Sequence, residues 1–163
     1  MHDAVLDYVR ANLPDGLTSV LEFGSRNLNG SVRSVVGPVD RFVGVDISDG
    51  PDVDIVADAA TVRVDGEFDL VVCCEVLEHV DDATGAGIVW NAHRHLRPGG
   101  RFVATMAGPG RAPHSGREAS GLQPGEFYRN VDKALLAGWL TFAGFAEFDI
   151  DQAGRDIRCT ATR

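Results

Sequence analysis

Short apolar runs alternate with segments of helical spacing along most of the chain. Apolar or alternating runs predict β-strands at residues 18–23, 41–47, 53–57, 68–74, 101–106, 145–150 and 157–161. Apolar residues three or four positions apart predict helices over residues 5–13, 88–96 and 135–143. Strands that alternate with helical connections in this way predict an α/β fold built on an open sheet.

The fourth predicted strand indicates how the sheet is covered. Residues 68–74 (FDLVVCC) are almost all apolar, which is typical of a parallel strand with both faces buried. The second and third strands are separated only by residues 48–52, too few for a crossover helix. That connection must therefore be a tight loop, or the third strand is marginal.

A long irregular segment follows the fifth predicted strand. Residues 108–125 are rich in Gly, Pro, Ser and Arg and show no periodicity, which predicts a flexible lid that shapes an acceptor site. Arg111, Arg117 and Arg129 make this region locally basic. They would either bind an anionic group or remain solvated on the loop.

The length of 163 residues fits one domain over residues 1–163.

Composition narrows the classes of partner. Lys and Arg total 15 against 24 Asp and Glu, for a net charge of −9, which argues against nucleic-acid binding and against anionic membrane surfaces. No run of residues is long and apolar enough for a membrane span. Cys73 and Cys74 are adjacent in an apolar run, and the third cysteine is Cys159, so reduced thiols and a cytoplasmic location are expected.

The first strand runs into a glycine turn, and an acidic residue ends the second strand. Gly24 follows the first strand, and Asp46 lies 22 residues further on. In nucleotide-binding βαβ units, an acidic residue at this spacing accepts hydrogen bonds from ribose hydroxyls. The pattern predicts a ribose-bearing ligand at the carboxyl edge of the sheet. Arg26 replaces the second glycine of the dinucleotide fingerprint, which argues against a dinucleotide.

Together these motifs resemble class I S-adenosylmethionine-dependent methyltransferases, in particular the small type 11 group. The resemblance extends over nearly the whole chain, with its motifs in the family's order. It is carried by residues 20–26 (VLEFGSR), 43–48 (VGVDIS), 56–59 (VADA), 68–80 (FDLVVCCEVLEHV), 96–102 (LRPGGRF) and 126–130 (EFYRN).

The resemblance implies a Rossmann-like open sheet of seven strands, mostly parallel with the last strand antiparallel, and helices on both faces. It implies S-adenosylmethionine as the cofactor, with Asp46 on the ribose, Asp58 at the adenine and Cys74 and Glu75 at the sulfonium end. The implied cofactor-binding residues are Glu22, Phe23, Gly24, Ser25, Arg26, Asp46, Ile47, Asp58, Ala59, Cys74 and Glu75.

A sulfonium methyl group is already activated for in-line displacement, so orientation supplies most of the catalysis. The expected activity is methyl transfer to an oxygen or nitrogen atom of a small-molecule acceptor. A base is required only where the acceptor loses a proton during attack. The candidate catalytic residues near the predicted cofactor are His79, His114 and Tyr128.

Two other functions stay open. Glu75, Glu78, His79 and His114 would hold a divalent metal in a metal-assisted methyltransferase that acts on an RNA 3′ end or a catechol-like acceptor. The alternative interpretation of these acidic residues is a helix start favoured by the dipole. A non-catalytic cofactor-binding subunit with a regulatory or assembly role is the other possibility. The short chain leaves little for an acceptor site, so the site is expected to be open, or completed by a homodimer or another partner chain.

Overall fold

Seven strands form one mixed sheet in the computed structural model, which describes residues 3–28, 30–117 and 121–163. The strands are β1 (Ser19–Phe23), β2 (Arg41–Asp46), β3 (Ile55–Val56), β4 (Phe68–Cys74), β5 (Leu96–Ala107), β6 (Glu147–Ala153) and β7 (Asp156–Thr162). Their order is β3-β2-β1-β4-β5-β7-β6. Strands β1 to β5 pair in parallel, whereas β7 is antiparallel to both β5 and β6. The predicted Rossmann-like sheet with an antiparallel last strand is confirmed.

Helices cover both faces of this sheet, as predicted. They are α1 (Asp3–Ala11), α2 (Arg33–Val36), α3 (Asp82–His95) and α4 (Lys133–Ala143). Strand β4 shows how the two layers are made: Leu70 and Val72 pack with α1 and α2, while Val71 and Cys73 pack with α3 and α4. Successive side chains of a strand point to opposite faces, so a fully apolar strand supplies both cores.

Most boundaries differ from the sequence prediction by one to three residues, helix α2 was not predicted, and three other differences have a clear physical reason. Strand β3 has only two residues, in line with the short connection before it. Helix α3 begins at Asp82, before the predicted 88, because the Asp81 carboxylate accepts the N–H of Thr84 and caps it. The segment 97–100, predicted to end a helix, lies within β5 and forms an irregularity opposite Phe68 and Leu70.

The structure describes the segment predicted as a lid, 108–125, apart from residues 118–120. It is joined to the sheet at its start, where the N–H of Gly108 donates to the carbonyl of Arg155 at 2.8 Å. The lid role and the single-domain organisation stay predictions. Within the described ranges, none of the helices has the length and apolarity needed to traverse a bilayer.

Candidate functional site

An open cleft of about 250 Å³ lies at the carboxyl edge of the parallel strands. The ends of β1, β2 and β4 meet there, because parallel strands place their carboxyl ends on one edge. The structure brings eight of the residues predicted for the cofactor, catalysis or metal into the cleft wall. They are Gly24, Arg26, Asp46, Ile47, Cys74, Glu75, His79 and His114.

The remaining predicted residues lie outside the cleft wall. Glu22, Phe23 and Ser25 are buried around the end of β1. Asp58 is exposed, and its carboxylate accepts the N–H of Ala60 at 2.8 Å, which closes a turn after β3. The others in this group are Ala59, Glu78 and Tyr128. Their contacts with a cofactor or acceptor stay predictions.

Asp46 is held in place by the backbone around it. Its Oδ2 accepts the N–H of Arg26 at 3.2 Å, and its Oδ1 accepts the N–H of Ser48 at 2.9 Å. A carboxylate has about four acceptor positions, so these two bonds leave others directed to the cleft. The neighbouring Ile47 is 71% exposed, which leaves an apolar surface beside the carboxylate. A carboxylate beside an exposed apolar side chain suits a ribose that is attached to a flat apolar ring.

The glycine turn is tight against the loop that follows β4. Gly24 has φ +81°, a conformation that disfavours side chains, and its N–H donates to the carbonyl of Val45. A Cβ added at Gly24 would lie 2.2 Å from Cγ2 of Val76. The absence of a side chain at Gly24 therefore allows the β1 turn and the β4 loop to form adjacent parts of the cleft.

Glu22 carries an unusual buried carboxyl group. It is 1% exposed, and its Oε2 has no hydrogen-bond partner among the described residues. Burial raises the pKa of Glu22 to about 8; Arg33 opposes this increase, and Asp52 and Asp46 add to it. The group is therefore predominantly protonated at neutral pH. A cationic group bound at this end of the cleft would favour its ionised form.

We expect Glu22 to make stability depend on pH. Below pH 4.5, the usual pKa of the group, the carboxyl is protonated in both the folded and the unfolded chain. The folded chain then has its full stability with respect to this group. Between pH 4.5 and 8 only the unfolded chain loses this proton, so the free energy of unfolding falls as pH rises. Glu22→Gln, which cannot ionise, should show a smaller fall in urea titrations between pH 5 and 8. Parallel curves for Glu22→Gln and the exposed control Glu147→Gln would contradict this assignment.

A three-member ion-pair network joins the loop after β4 to Arg111 and to the start of β7 beside the cleft. Glu75 has φ +59° and lies before a short 3-10 helix, Leu77–His79. Its Oε1 accepts from the Thr105 hydroxyl at 3.0 Å, and its Oε2 lies 3.0 Å from the Arg111 guanidinium. Arg111 also pairs with Asp156 at the start of β7. Glu75 therefore lies outside the short helix that carries Glu78 and His79.

The other candidate polar residues form a compact cluster. Ligand atoms of Glu78, His79 and His114 lie within 4.8 Å of one another. The His79 and His114 ring centroids are 5.0 Å apart, and the Tyr128 ring is also 5.0 Å from His114. Glu78 Oε1 accepts the N–H of Ala107, whereas Glu78 Oε2 and His79 Nδ1 are buried without partners in the described chain. Burial and the adjacent His114 lower the pKa of His79 to about 4, so this imidazole is neutral at pH 7.

Solved structures share this fold. The chain matches a 1,6-didemethyltoxoflavin N1-methyltransferase from Burkholderia thailandensis with a TM-score of 0.74 and 17% identity, covering 99% of this chain and 77% of that one. That crystal structure holds 1,6-didemethyltoxoflavin and S-adenosylhomocysteine. An amino pentose methyltransferase from Micromonospora echinaspora, solved with S-adenosylmethionine, matches with a TM-score of 0.69 and 18% identity over 98% of this chain and 89% of that one.

Sequence comparisons agree with this fold. A ubiquinone biosynthesis O-methyltransferase of Pseudomonas aeruginosa is 40% identical over 53 residues, which are 32% of this chain and 22% of that protein. The match thus spans about a fifth of that relative's length. A family model described as a methyltransferase domain matches residues 2–147. The chain therefore belongs to the methyltransferase domain family and has the fold of class I S-adenosylmethionine-dependent methyltransferases.

Proposed function

We propose that this chain binds S-adenosylmethionine in the cleft and transfers its methyl group to an oxygen or nitrogen atom of a small-molecule acceptor. The observation that carries the proposal is the Asp46 carboxylate, fixed by two backbone N–H groups beside the β1 turn. This geometry fits the ribose of the cofactor, and the buried Glu22, two residues before Gly24, is expected to lie behind its cationic amino-acid end. Solved neighbours that hold the cofactor or its demethylated product support the proposal.

The sulfonium supplies a methyl group activated for displacement, so the protein's part is to orient the acceptor and to remove a proton where necessary. His114 is the proposed base. Its Nδ1 lies 3.2 Å from the Ala112 carbonyl and donates to it in the neutral tautomer, which leaves Nε2 as an acceptor. His79 lines the cleft beside it. Tyr128 packs against both rings and positions them, with its hydroxyl 3.4 Å from the Arg111 carbonyl.

The test of the proposal has two stages. Calorimetry with S-adenosylmethionine and S-adenosylhomocysteine should show one-to-one binding. Incubation with pools of hydroxylated and amino acceptors should release S-adenosylhomocysteine together with a methylated product. Absence of binding would overturn the proposal. Binding without turnover on any pool would instead support the non-catalytic subunit, and would overturn methyl transfer.

A metal-assisted transferase is a second candidate, favoured by the cluster of Glu78, His79 and His114. Two imidazoles and a carboxylate form a ligand set suited to Zn²⁺ or Mn²⁺, and the neutral imidazole of His79 is the form that binds metal. The fourth predicted ligand, Glu75, is instead occupied by Thr105 and Arg111. The structure therefore fits a three-residue site rather than the predicted set of four.

We expect Zn²⁺ or Mn²⁺ to raise the thermal unfolding midpoint if this second candidate is correct. His114→Gln removes one ligand and should abolish the increase, because a site with two protein ligands binds metal weakly. His93→Gln is the matched control, since His93 lies on α3 outside the cluster. An equal increase in both variants, or full methyl transfer after chelation, would exclude the metal-assisted function.

A further inference from the structure

A second, more open cleft adjoins the main one at Arg111 and His114. Its volume is about 480 Å³, and its wall consists of Arg111, Ala112, Pro113, His114, Arg155 and Asp156. Arg111 and His114 line both clefts. A ligand with two parts would therefore reach both clefts by passing these two side chains.

Arg155 is brought to this edge by the last hairpin of the sheet. It lies in the turn between β6 and β7, and β7 runs antiparallel to β5, with Asp156 opposite Ala107. The turn thus lies at the carboxyl end of β5, next to the proposed methyl-transfer site. Its backbone is fixed there, because the Arg155 carbonyl accepts the N–H of Gly108 at 2.8 Å.

The ion pairs of the nearby arginines distinguish them from Arg155. The three predicted anion-binding arginines all have carboxylate partners: Arg111 with Glu75 and Asp156, Arg117 with Glu126, and Arg129 with Asp82. The exposed guanidinium of Arg155 has no hydrogen bond or ion pair within residues 3–28, 30–117 and 121–163. It is therefore available to a ligand.

The wall of the second cleft is positive although the chain is acidic. Two guanidinium groups and one carboxylate line it, whereas the whole chain has a net charge of −9. Arg155 presents its donors in the planar arrangement that matches a carboxylate or a phosphate. The charge of the adjacent Arg111 is balanced by its two carboxylate partners, so among the described residues Arg155 supplies the unpaired cation of this wall.

We propose that the second cleft is a subsite for an anionic group of the methyl acceptor, either a carboxylate or a phosphate, and that Arg155 binds this group. The accepting atom would then lie beside His114 in the main cleft. This assignment rests on the proposed methyl-transfer function for the identity of the ligand. The anion-binding property of Arg155 is measurable without methyl transfer.

Nuclear magnetic resonance of the full chain with S-adenosylhomocysteine present tests the assignment. Benzoate and inorganic phosphate, each titrated at constant ionic strength, serve as probes. We expect shifts of amide signals at residues 108–114 and 153–157 with at least one probe. Arg155→Gln should weaken the binding by about tenfold, the effect of losing one charge-assisted contact. Arg63→Gln is the control, since Arg63 is exposed and lines neither cleft.

The two probes also distinguish the source of the anion, because tighter binding of benzoate indicates a carboxylate and tighter binding of phosphate a phosphorylated acceptor. Absence of localised shifts with both probes would overturn the subsite, as would equal affinities in the wild type and Arg155→Gln. The same titration without S-adenosylhomocysteine separates this proposal from the first. Anion binding in a chain that fails to bind S-adenosylmethionine would leave the subsite standing and the methyltransferase proposal overturned.

Discussion

Asp46→Ala is expected to weaken S-adenosylmethionine binding by about a hundredfold. In the proposed complex the Asp46 carboxylate accepts hydrogen bonds from both ribose hydroxyls. Each charge-assisted bond is worth about 1.5–3 kcal/mol, and loss of two such bonds corresponds to at least that factor. The substitution also removes the acceptors for the N–H groups of Arg26 and Ser48, which loosens the β1 turn. Calorimetry of wild type and variant measures the change.

Asp49→Ala is the matched control for this experiment. Asp49 is exposed three residues later, and the hydrogen bond recorded for its carboxylate is to the N–H of Gly50. The Asp49→Ala variant should bind the cofactor as tightly as the wild type does. Circular dichroism establishes that Asp46→Ala is folded. An affinity of folded Asp46→Ala within threefold of the wild type would contradict the ribose contact.

Gly24→Ala is expected to lower the free energy of unfolding by about 3 kcal/mol, as the sum of two costs. A side chain at φ +81° costs roughly 1–2 kcal/mol, and inserting a methyl group into a packed contact costs roughly 1–3 kcal/mol. The second cost comes from Val76, whose Cγ2 would lie 2.2 Å from the new Cβ. Urea titrations of the variant measure the total.

A double-mutant cycle separates these two costs. Val76→Ala removes the clashing methyl group, so Gly24→Ala should cost about 1–2 kcal/mol less in the Val76→Ala background than in the wild type. The remaining cost is the backbone conformation, which no change at Val76 relieves. Equal costs in the two backgrounds would show that the close approach of Val76 has no energetic consequence.

The sheet and the residues at its carboxyl edge could be predicted because their signals are local. A strand such as β4 is marked by a run of apolar residues, and the turn at Gly24 by its glycine. The spacing from Gly24 to Asp46 follows from the length of one βαβ unit, so the sequence predicts that Asp46 lies at the same edge as Gly24, and both residues line the cleft. Boundaries were less accurate where a cap or an irregularity decides them, as at Asp81 and residues 97–100.

The contacts between distant segments had no local signal. The close approach of Val76 to Gly24 exists only when the loops after β1 and β4 are packed together. Asp156 reaches Arg111 because β7 enters the sheet beside β5, a pairing that no periodicity encodes. Asp69 shows the same effect at the opposite edge, where it accepts hydrogen bonds from Thr18, Ser19 and Arg97. Burial raises the pKa of Asp69, but these donors outweigh it and hold that pKa below its usual range.

The last hairpin is separate in the sequence from the residues proposed to bind the nucleotide. The family model ends at residue 147, just as β6 begins, yet the turn after β6 lines the second cleft. The contacts of this turn with the rest of the edge include a backbone hydrogen bond to Gly108 and an ion pair with Arg111. Asp46 and Gly24 lie on other strands. In the proposed arrangement, exchange of the four residues 153–156 would change recognition of the acceptor's anionic group and leave the residues proposed for the nucleotide unchanged.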